Sequence, residues 1–273
     1  MPIVLRKPRT ASLRRQSFLV NRDLDKEKPE KKLTDTCKRT GGRNAYGRIT
    51  SRRKGGGAAR KYRIVDFDRS VKDIEGTVVA LEYDPNRNVE LALVAYKNGA
   101  KKYILRDEGV KKGSVVMSGV DAEVTVGNSL PLSKIPVGFF VHNVELAPGR
   151  GGCVAKAAGS SIQLMGKDDD KALLKMPSSE VRTVSLNCWA TVGAVANADF
   201  RNISWGKAGR RRYLGFRPQS RGMAKNPVDH PMGGGEGRSK SGSHATSPWG
   251  KNTKGTITRT RKSDAIIKRR SKK

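Results

Sequence analysis

The sequence is poor in the residues on which disulfide frameworks and most catalytic sites depend. Only three cysteines, Cys37, Cys153 and Cys188, are scattered over 273 residues, with no C-x-x-C pair among them. An odd, dispersed set of this kind reads as reduced cytosolic thiols and excludes both a disulfide framework and a zinc site. Aromatic residues amount to 5% and histidines to three. No run approaches the roughly 18 consecutive apolar residues that span a bilayer. The opening Met1-Pro2-Ile3-Val4-Leu5-Arg6-Lys7-Pro8 lacks the apolar core of a secretory signal. It has no acidic residue before Asp23, as in organellar transit peptides, but Pro2 and Pro8 interrupt any helix there. The expectation is therefore a cytoplasmic protein, with a plastid or other organelle as the alternative. Nucleotide-binding signatures are missing too. No G-x-G-x-x-G occurs, and Gly159 to Gly166-Lys167-Asp168 fails the spacing of a phosphate loop and has Asp where a metal-binding hydroxyl belongs.

What the chain has in excess is positive charge. Lys and Arg number 56 against 25 Asp and Glu, a net +31, so the partner is expected to be a polyanion, either nucleic acid or an anionic membrane surface. The distribution is uneven. Residues 1–60 carry 18 basic and 5 acidic side chains, residues 61–200 carry 18 and 17, and residues 201–273 carry 20 and 3. A nearly neutral centre is thus flanked by two strongly basic arms. The arms hold too little apolar material to offset the entropy of ordering them, so they are expected to order only against a polyanion.

The centre reads as short strands. Thr77–Tyr83, Val89–Tyr96 and Lys101–Arg106 are apolar or alternating runs, separated by Asp84-Pro85-Asn86-Arg87-Asn88 and by Asn98-Gly99. The latter is a hairpin signal in which both central residues take positive φ. Ser114–Ser118 and Ala122–Val126 complete five strands, the number of a small oligonucleotide-binding (OB) barrel. A second β unit follows, with strands at Val137–Leu146, Ser161–Met165, Ala172–Met176 and Val181–Leu186 around the turn Pro148-Gly149-Arg150-Gly151-Gly152. Helix is scarce, with only short turns foreseen near Lys207–Arg212 and at the end of the second unit.

The arms interleave arginine and lysine with glycine, as in Gly41-Gly42-Arg43, Arg52-Arg53-Lys54-Gly55-Gly56-Gly57 and Gly209-Arg210-Arg211-Arg212-Tyr213. Glycine lets main-chain amides approach phosphate, and arginine adds forked contacts to its oxygens. One such run could be a solvated tail or, at Lys268–Lys273, a localisation signal. Two long arms favour nucleic acid, and the lack of zinc-finger, basic-zipper and helix-turn-helix patterns favours irregular RNA. Tyr46, Tyr62, Tyr213 and Trp249 lie beside basic residues or glycines, where they either pack or stack on bases. His142 falls in an apolar strand and reads as structural, while His244 lies in a Ser/Gly-rich loop. His230 follows Asp229 ahead of three glycines, yet sequence neighbours seldom form a catalytic pair and no nucleophile accompanies them.

The stretch Arg221-Gly222-Met223-Ala224-Lys225-Asn226-Pro227-Val228-Asp229-His230-Pro231-Met232-Gly233-Gly234-Gly235-Glu236-Gly237 resembles the hallmark loop of the large-subunit ribosomal protein number two family. Further matches run in order along the chain: Gly41-Gly42-Arg43-Asn44, Gly47-Arg48-Ile49-Thr50, Tyr62-Arg63-Ile64-Val65-Asp66-Phe67, Leu81-Glu82-Tyr83-Asp84-Pro85-Asn86-Arg87, Ile135-Pro136-Val137-Gly138 and Pro248-Trp249-Gly250. The resemblance implies an OB barrel followed by an SH3-like barrel. It also implies binding to large-subunit rRNA near the peptidyl-transferase centre and to other ribosomal proteins. A small-subunit rRNA bridge and indirect support of tRNA binding and peptide-bond formation follow from it as well. The family's RNA-contacting positions fall on Arg87 and Lys156. Lys156 stands where arginine is common, and Lys225 and Met232 also depart from the bacterial pattern.

The expected architecture is mainly β. Residues 1–60 form a basic extension, 61–127 an OB-type barrel, 128–200 an SH3-like barrel and 201–273 a basic glycine-rich extension. The expected RNA contacts are Arg43, Arg48, Arg52, Arg53, Lys54, Arg60, Arg87, Arg150, Lys156, Arg210, Arg211, Arg212, Arg217, Arg221, Asn226, Asp229, His230, Arg238 and Trp249. No cofactor, protein-held metal or membrane partner is expected, and any magnesium would be shared with rRNA phosphates. The chain reads as a structural protein and not an enzyme. The alternatives are a direct part for His230 in peptidyl transfer and a DNA-compacting or membrane-surface protein.

Overall fold

A computed structural model describes residues 3–21, 23–236, 244–261 and 263–270. The elements in chain order are β1 (Ile3–Leu5), β2 (Ser17–Leu19), β3 (Thr34–Thr36), β4 (Lys61–Arg63), β5 (Gly76–Glu82), β6 (Leu91–Tyr96), β7 (Lys101–Leu105) and β8 (Val115–Val116). They continue with β9 (Ser129–Pro131), β10 (Phe140–His142), β11 (Ile162–Asp168), β12 (Lys171–Lys175), β13 (Val181–Ser185), β14 (Trp189–Val192), the helix α1 (Ala208–Tyr213) and β15 (Ile266–Lys268). Two compact units result. One comprises Met1–Lys38, Ala59–Ala208 and Asp264–Lys273; the other comprises Arg39–Ala58 and Gly209–Ser263. The fold is mainly β with curled sheets, OB-like in its first half, as the sequence predicts. No helix among the described residues is long and apolar enough to cross a membrane.

The first barrel is a four-stranded antiparallel sheet in the order β7-β6-β5-β8. Strand β6, Leu-Ala-Leu-Val-Ala-Tyr, is apolar at every position because apolar clusters form on both sides of it. Leu91 and Leu93 pack with Val65, Tyr103 and Val195, whereas Ala92 and Val94 pack with Val78, Ile104 and Val116. The Asn98-Gly99 hairpin is present with different geometry. Tyr96 N–H donates to Ala100 O at 2.9 Å and Gly99 N–H to Tyr96 O at 2.9 Å. Only Gly99, at φ 81, enters the left-handed region. The connection is therefore a three-residue loop, an ordinary turn closed by one left-handed glycine. Ala122–Val126 is not a strand. The Asn128 side chain accepts from Met117 N at 2.8 Å and donates to Glu123 O and Thr125 Oγ1 at 3.0 and 2.9 Å, which holds the segment as a loop.

The second barrel is a seven-stranded sheet in the order β15-β13-β12-β11-β10-β14-β9. Leu130, Leu132, Ile135, Ile162, Leu164 and Leu174, all essentially unexposed, fill it. Its strands β10 and β13 lie within the predicted apolar runs, β12 begins one residue before its run, and β11 extends three residues past its run. Strands β9, β14 and β15 are short and have no comparable run. His142 is buried on β10 with Nε2 against Asp107 Oδ1, so the structural role expected for it holds and is shared across the two barrels. Cys188 is buried too, and burial pushes its thiol up to about 11, while Cys37 and Cys153 are free and exposed.

The N-terminal arm departs from expectation. Instead of waiting for a polyanion, residues 23–36 lie on the first barrel, and their acidic side chains make the attachment. Asp23 meets Arg106 at 3.2 Å, Glu30 meets Lys101 at 3.3 Å, and Asp25 meets Lys112 at 3.1 Å. Asp25 also accepts Leu81 N–H at 3.0 Å, and that bond with the Lys112 ammonium holds its carboxyl below the ordinary range. Strand β3 then pairs with β4, and at the other end of the chain β15 pairs with β13. Three of the arm's five acids are thus its straps.

Candidate nucleic-acid interface

In the first unit the two positions singled out by resemblance, Arg87 and Lys156, converge on one ring. Arg87 Cζ lies 5.3 Å and Lys156 Nζ 3.9 Å from the centre of Phe67, and Arg87 also lies 5.4 Å from Tyr62. The turn after β5 sets Arg87. Asp84, fully buried, accepts Asn86 N–H at 2.8 Å on one oxygen and Arg87 Nε–H at 3.0 Å on the other. Asn86 Nδ2 then donates to Lys61 O at 2.7 Å, and Arg60 Nη1 donates to Pro85 O at 3.0 Å, fastening the turn to the approach to β4. From the second barrel, Gly152 N–H and Asn143 Nδ2 both donate to Phe67 O, at 3.2 and 2.9 Å. Lys156 Nζ donates to Gly152 O at 3.0 Å. The result is a cluster of two cations and two aromatic rings, with Tyr62 40% exposed, in which π faces and positive charge lie within a few ångströms of each other. Phe67 is a member that sequence reasoning quoted only within a motif. Its sign was the apolar-aromatic run before a turn, which equally describes a core residue.

Arg87 does not project freely from its turn; its side chain is only 20% exposed. The carboxylate it clamps has no exposure of its own, so Arg87→Ala leaves a buried, half-satisfied charge. Loss of about 1–3 kcal/mol of stability is expected alongside weakened RNA binding. Denaturant unfolding and filter binding on the same variant check this. Weakened RNA binding with unchanged unfolding would return Arg87 to a purely outward role.

Arg150 is exposed at its glycine-rich turn, but the neighbouring amides are not available to phosphate. Gly149 and Gly151 N–H groups donate to the buried Glu145 carboxylate at 3.4 and 2.9 Å, and Trp189 N–H joins them at 3.0 Å.

The second unit carries 19 Lys and Arg against 2 acidic residues, Asp229 and Glu236. Among its described residues His230 alone is buried. Segment 53–58 is held to 213–217 by main-chain bonds, among them Gly55 N–H to Gly215 O at 3.0 Å, Ala58 N–H to Tyr213 O at 2.9 Å and Arg217 N–H to Arg53 O at 3.0 Å. Cations complete the unit. Lys54 and Arg211 both lie 5.2 Å from the Phe216 ring, and Arg52 lies 5.6 Å from the Trp249 ring. Arg39, unremarked in the sequence, donates to the carbonyls of Gly56, Gly57 and Ala58 and so fixes the glycine run. Arg43, Arg48, Arg53, Arg210, Arg212, Arg217, Arg221, Asn226 and Asp229 lie at or near the surface, Arg210, Arg211 and Arg212 on α1. Arg238 lies outside the described residues.

Asp229 and His230 do not pair. Asp229 is exposed, while His230 lies 8% exposed with Nδ1 accepting Met232 N–H at 3.1 Å. Its ring rests on Gly222, where any Cβ would overlap it, and its carbonyl accepts Gly233 N–H at 2.9 Å. Gly234 N–H closes the loop on Lys225 O at 2.9 Å. His230 is thus the hub on which the loop folds. No group of three or more His, Cys, Asp or Glu side chains among the described residues is arranged to hold a metal ion.

Two family models match the chain. The model described as Ribosomal Proteins L2, RNA binding N-terminal domain, matches residues 30–118, and that described as Ribosomal Proteins L2, C-terminal domain, matches residues 125–250. The first spans the OB-like sheet and the Arg87 turn; the second spans Lys156, most of the second barrel and the His230 loop. The chain belongs to the ribosomal protein L2 family, RNA-binding structural proteins of the large ribosomal subunit.

Proposed function

We propose that the two barrels and the cationic unit bind large-subunit rRNA near the peptidyl-transferase centre, with the His230 loop inserted into folded RNA as an architectural element. A bridge to small-subunit rRNA and indirect support of tRNA placement belong to the same reading, as do a cytoplasmic ribosome and magnesium ions shared with rRNA phosphates. The observation that carries it is the make-up of the second unit: 19 cations, 2 acids and, among the described residues, one buried side chain. A unit whose described residues include no buried apolar side chain gains its lasting order from a polyanion that neutralises it. The first unit, with three apolar clusters, supplies the rigid platform.

The position of His230 supports a scaffolding role over a direct part in peptidyl transfer. One ring nitrogen is taken by Met232 N–H and one ring face by Gly222, so the imidazole is committed to the loop. Ribosomes carrying His230→Ala at full occupancy are expected to show impaired incorporation of the protein or tRNA placement. Their single-turnover peptide-bond rate should stay close to normal. General acid–base catalysis contributes about 100- to 10,000-fold. A drop of that size with rRNA structure intact by chemical probing would make His230 a participant in the chemistry.

A further inference from the structure

The second unit contains the same turn twice, each time presenting an aromatic ring. In residues 44–48, Asn44 N–H donates to Arg48 O at 2.9 Å and Gly47 N–H to Asn44 O at 3.0 Å. Asn44 Oδ1 accepts Arg48 N–H at 2.9 Å. In residues 247–251, Ser247 N–H donates to Lys251 O at 2.8 Å and Gly250 N–H to Ser247 O at 3.0 Å. Ser247 Oγ accepts Lys251 N–H at 3.3 Å. Glycine follows the aromatic in both, at φ 73 for Gly47 and φ 76 for Gly250, and a bridge closes each base, Arg43 to Ile49 and Thr246 to Asn252. Position by position the two turns read polar acceptor, spacer, aromatic, left-handed glycine, cation. Tyr46 is 89% exposed and Trp249 78%. The hairpin at Tyr96–Ala100 uses the same main-chain bonds without an aromatic at its tip, so the turn does not itself require one.

We propose that Tyr46 is a base-stacking residue, and that the 44–48 tip inserts its ring against an unpaired nucleobase of rRNA while Arg43 and Arg48 engage the flanking phosphates. The inference rests on the rRNA-binding reading and adds a contact that neither Arg87 nor the His230 loop supplies. Four observations carry it. An aromatic side chain with nine-tenths of its surface in water has no packing role in the free chain. The turn beneath it is fixed by its own hydrogen bonds, so the ring is presented at little further entropic cost. Segment 39–58 contains no acidic residue, and its unit is overwhelmingly cationic, so the complementary surface is polyanionic. Of polyanions, single-stranded RNA offers π faces between its charges.

The test is filter binding of the full-length chain to in vitro transcribed large-subunit rRNA over a salt series, with Tyr46→Phe, Tyr46→Leu, Tyr46→Ala and Arg48→Ala. Tyr46→Phe should bind within about twofold of the parent, whereas Tyr46→Leu and Tyr46→Ala should lose about 5- to 150-fold, the range carried by one stacked base. The salt slope should be unchanged in the Tyr46 variants and shallower by about 0.7–0.9 in Arg48→Ala, because only the latter gives up a counterion-releasing contact. Unshifted NMR amides at Gly47 and Arg48 will show that the turn survives, since Tyr46 contributes only its main-chain N–H to it. Tyr46→Ala binding like the parent, or Tyr46→Leu matching Tyr46→Phe, overturns the proposal. So does normal rRNA binding by Tyr46→Ala with loss of a neighbouring ribosomal protein from reconstituted subunits, which would make the tip a protein contact. If the parent chain itself fails to bind the transcript, the rRNA reading fails and the stacking role falls with it.

Discussion

The affinity of the full chain for large-subunit rRNA is expected to fall about a thousandfold or more between roughly 50 and 200 mM monovalent salt. The reason is the number of cations left unpaired by the fold. Arg63, Arg106 and Arg87 are committed to carboxylates, and Arg39 to carbonyls, so they contribute little to counterion release. Most of the 19 cations of the second unit have no acidic neighbour to meet, because only two acids accompany them. About six to ten phosphate contacts, roughly a third to a half of that supply, are sufficient for a fall of about 10³–10⁵ over this range. Filter binding at several salt concentrations, read as the slope of log affinity against log salt, is the measurement. A nearly salt-independent affinity would remove the electrostatic basis of the interface.

The second large effect concerns folding. Glu82, at the end of β5, is buried and joins four separate parts of the chain. It accepts Arg63 Nε–H at 3.1 Å and Tyr103 Oη–H at 2.8 Å, and Tyr103 Oη in turn accepts Glu30 N–H at 2.9 Å. The β4 strand, the β7 strand and the N-terminal arm are therefore all tied to one carboxylate. Burial, with the Glu82 hydrogen bond added to it, pushes the Tyr103 phenol up to about 12, so it remains a donor at any physiological pH. Glu82→Ala leaves the Arg63 guanidinium buried without its partner, and loss of about 3–5 kcal/mol is expected. Tyr103→Phe removes the bond to the Glu82 carboxylate and, with it, the acceptor of Glu30 N–H, and should cost about 1.5–3 kcal/mol. Hydrogen exchange of β4 to β7 amides in the full chain reads both, and in Glu82→Ala the arm residues around Glu30 should lose protection with them. A Glu82→Ala barrel as protected as the parent would show that the network is ornamental and that apolar packing alone holds the arm.

Much of the central fold was legible in the sequence. Strands β5, β6, β7, β12 and β13 match the predicted runs to within one or two residues, and β11 runs three residues past its predicted end. Each is a local apolar or alternating segment bounded by turn residues, and such patterns need no knowledge of the partner strand. Strands β1, β3, β4, β9 and β15 were not legible. Each is three residues long, too short to carry a period, and exists only because a distant segment pairs with it. Ala122–Val126 failed for a related reason. Its composition suits a strand, but Asn128 takes up main-chain groups around it.

For the interface, the residue types were readable and their grouping was not. Glycine-spaced arginines announce a polyanion whatever the fold does. Nothing local says that Arg87 and Lys156 share Phe67, that Arg52 covers Trp249, or that Arg39 spends its donors on carbonyls. Nor does anything local say that Asp84 takes the Arg87 guanidinium within their own turn.

By itself the sequence determined the charge and its division between arms and centre, the β character of that centre, and the loop chemistry that marks the family. These are properties of composition and of short windows, and they survive without a partner. The tertiary structure decided which of the cations remain free for RNA. It straps residues 23–36 to the first barrel through Asp23, Asp25 and Glu30, and it gathers 39–58 with 209–263 into a unit whose one buried side chain among the described residues is His230. The physical reason is that pairing energy depends on distance and desolvation. Both are set only when residues tens to hundreds of positions apart are brought together.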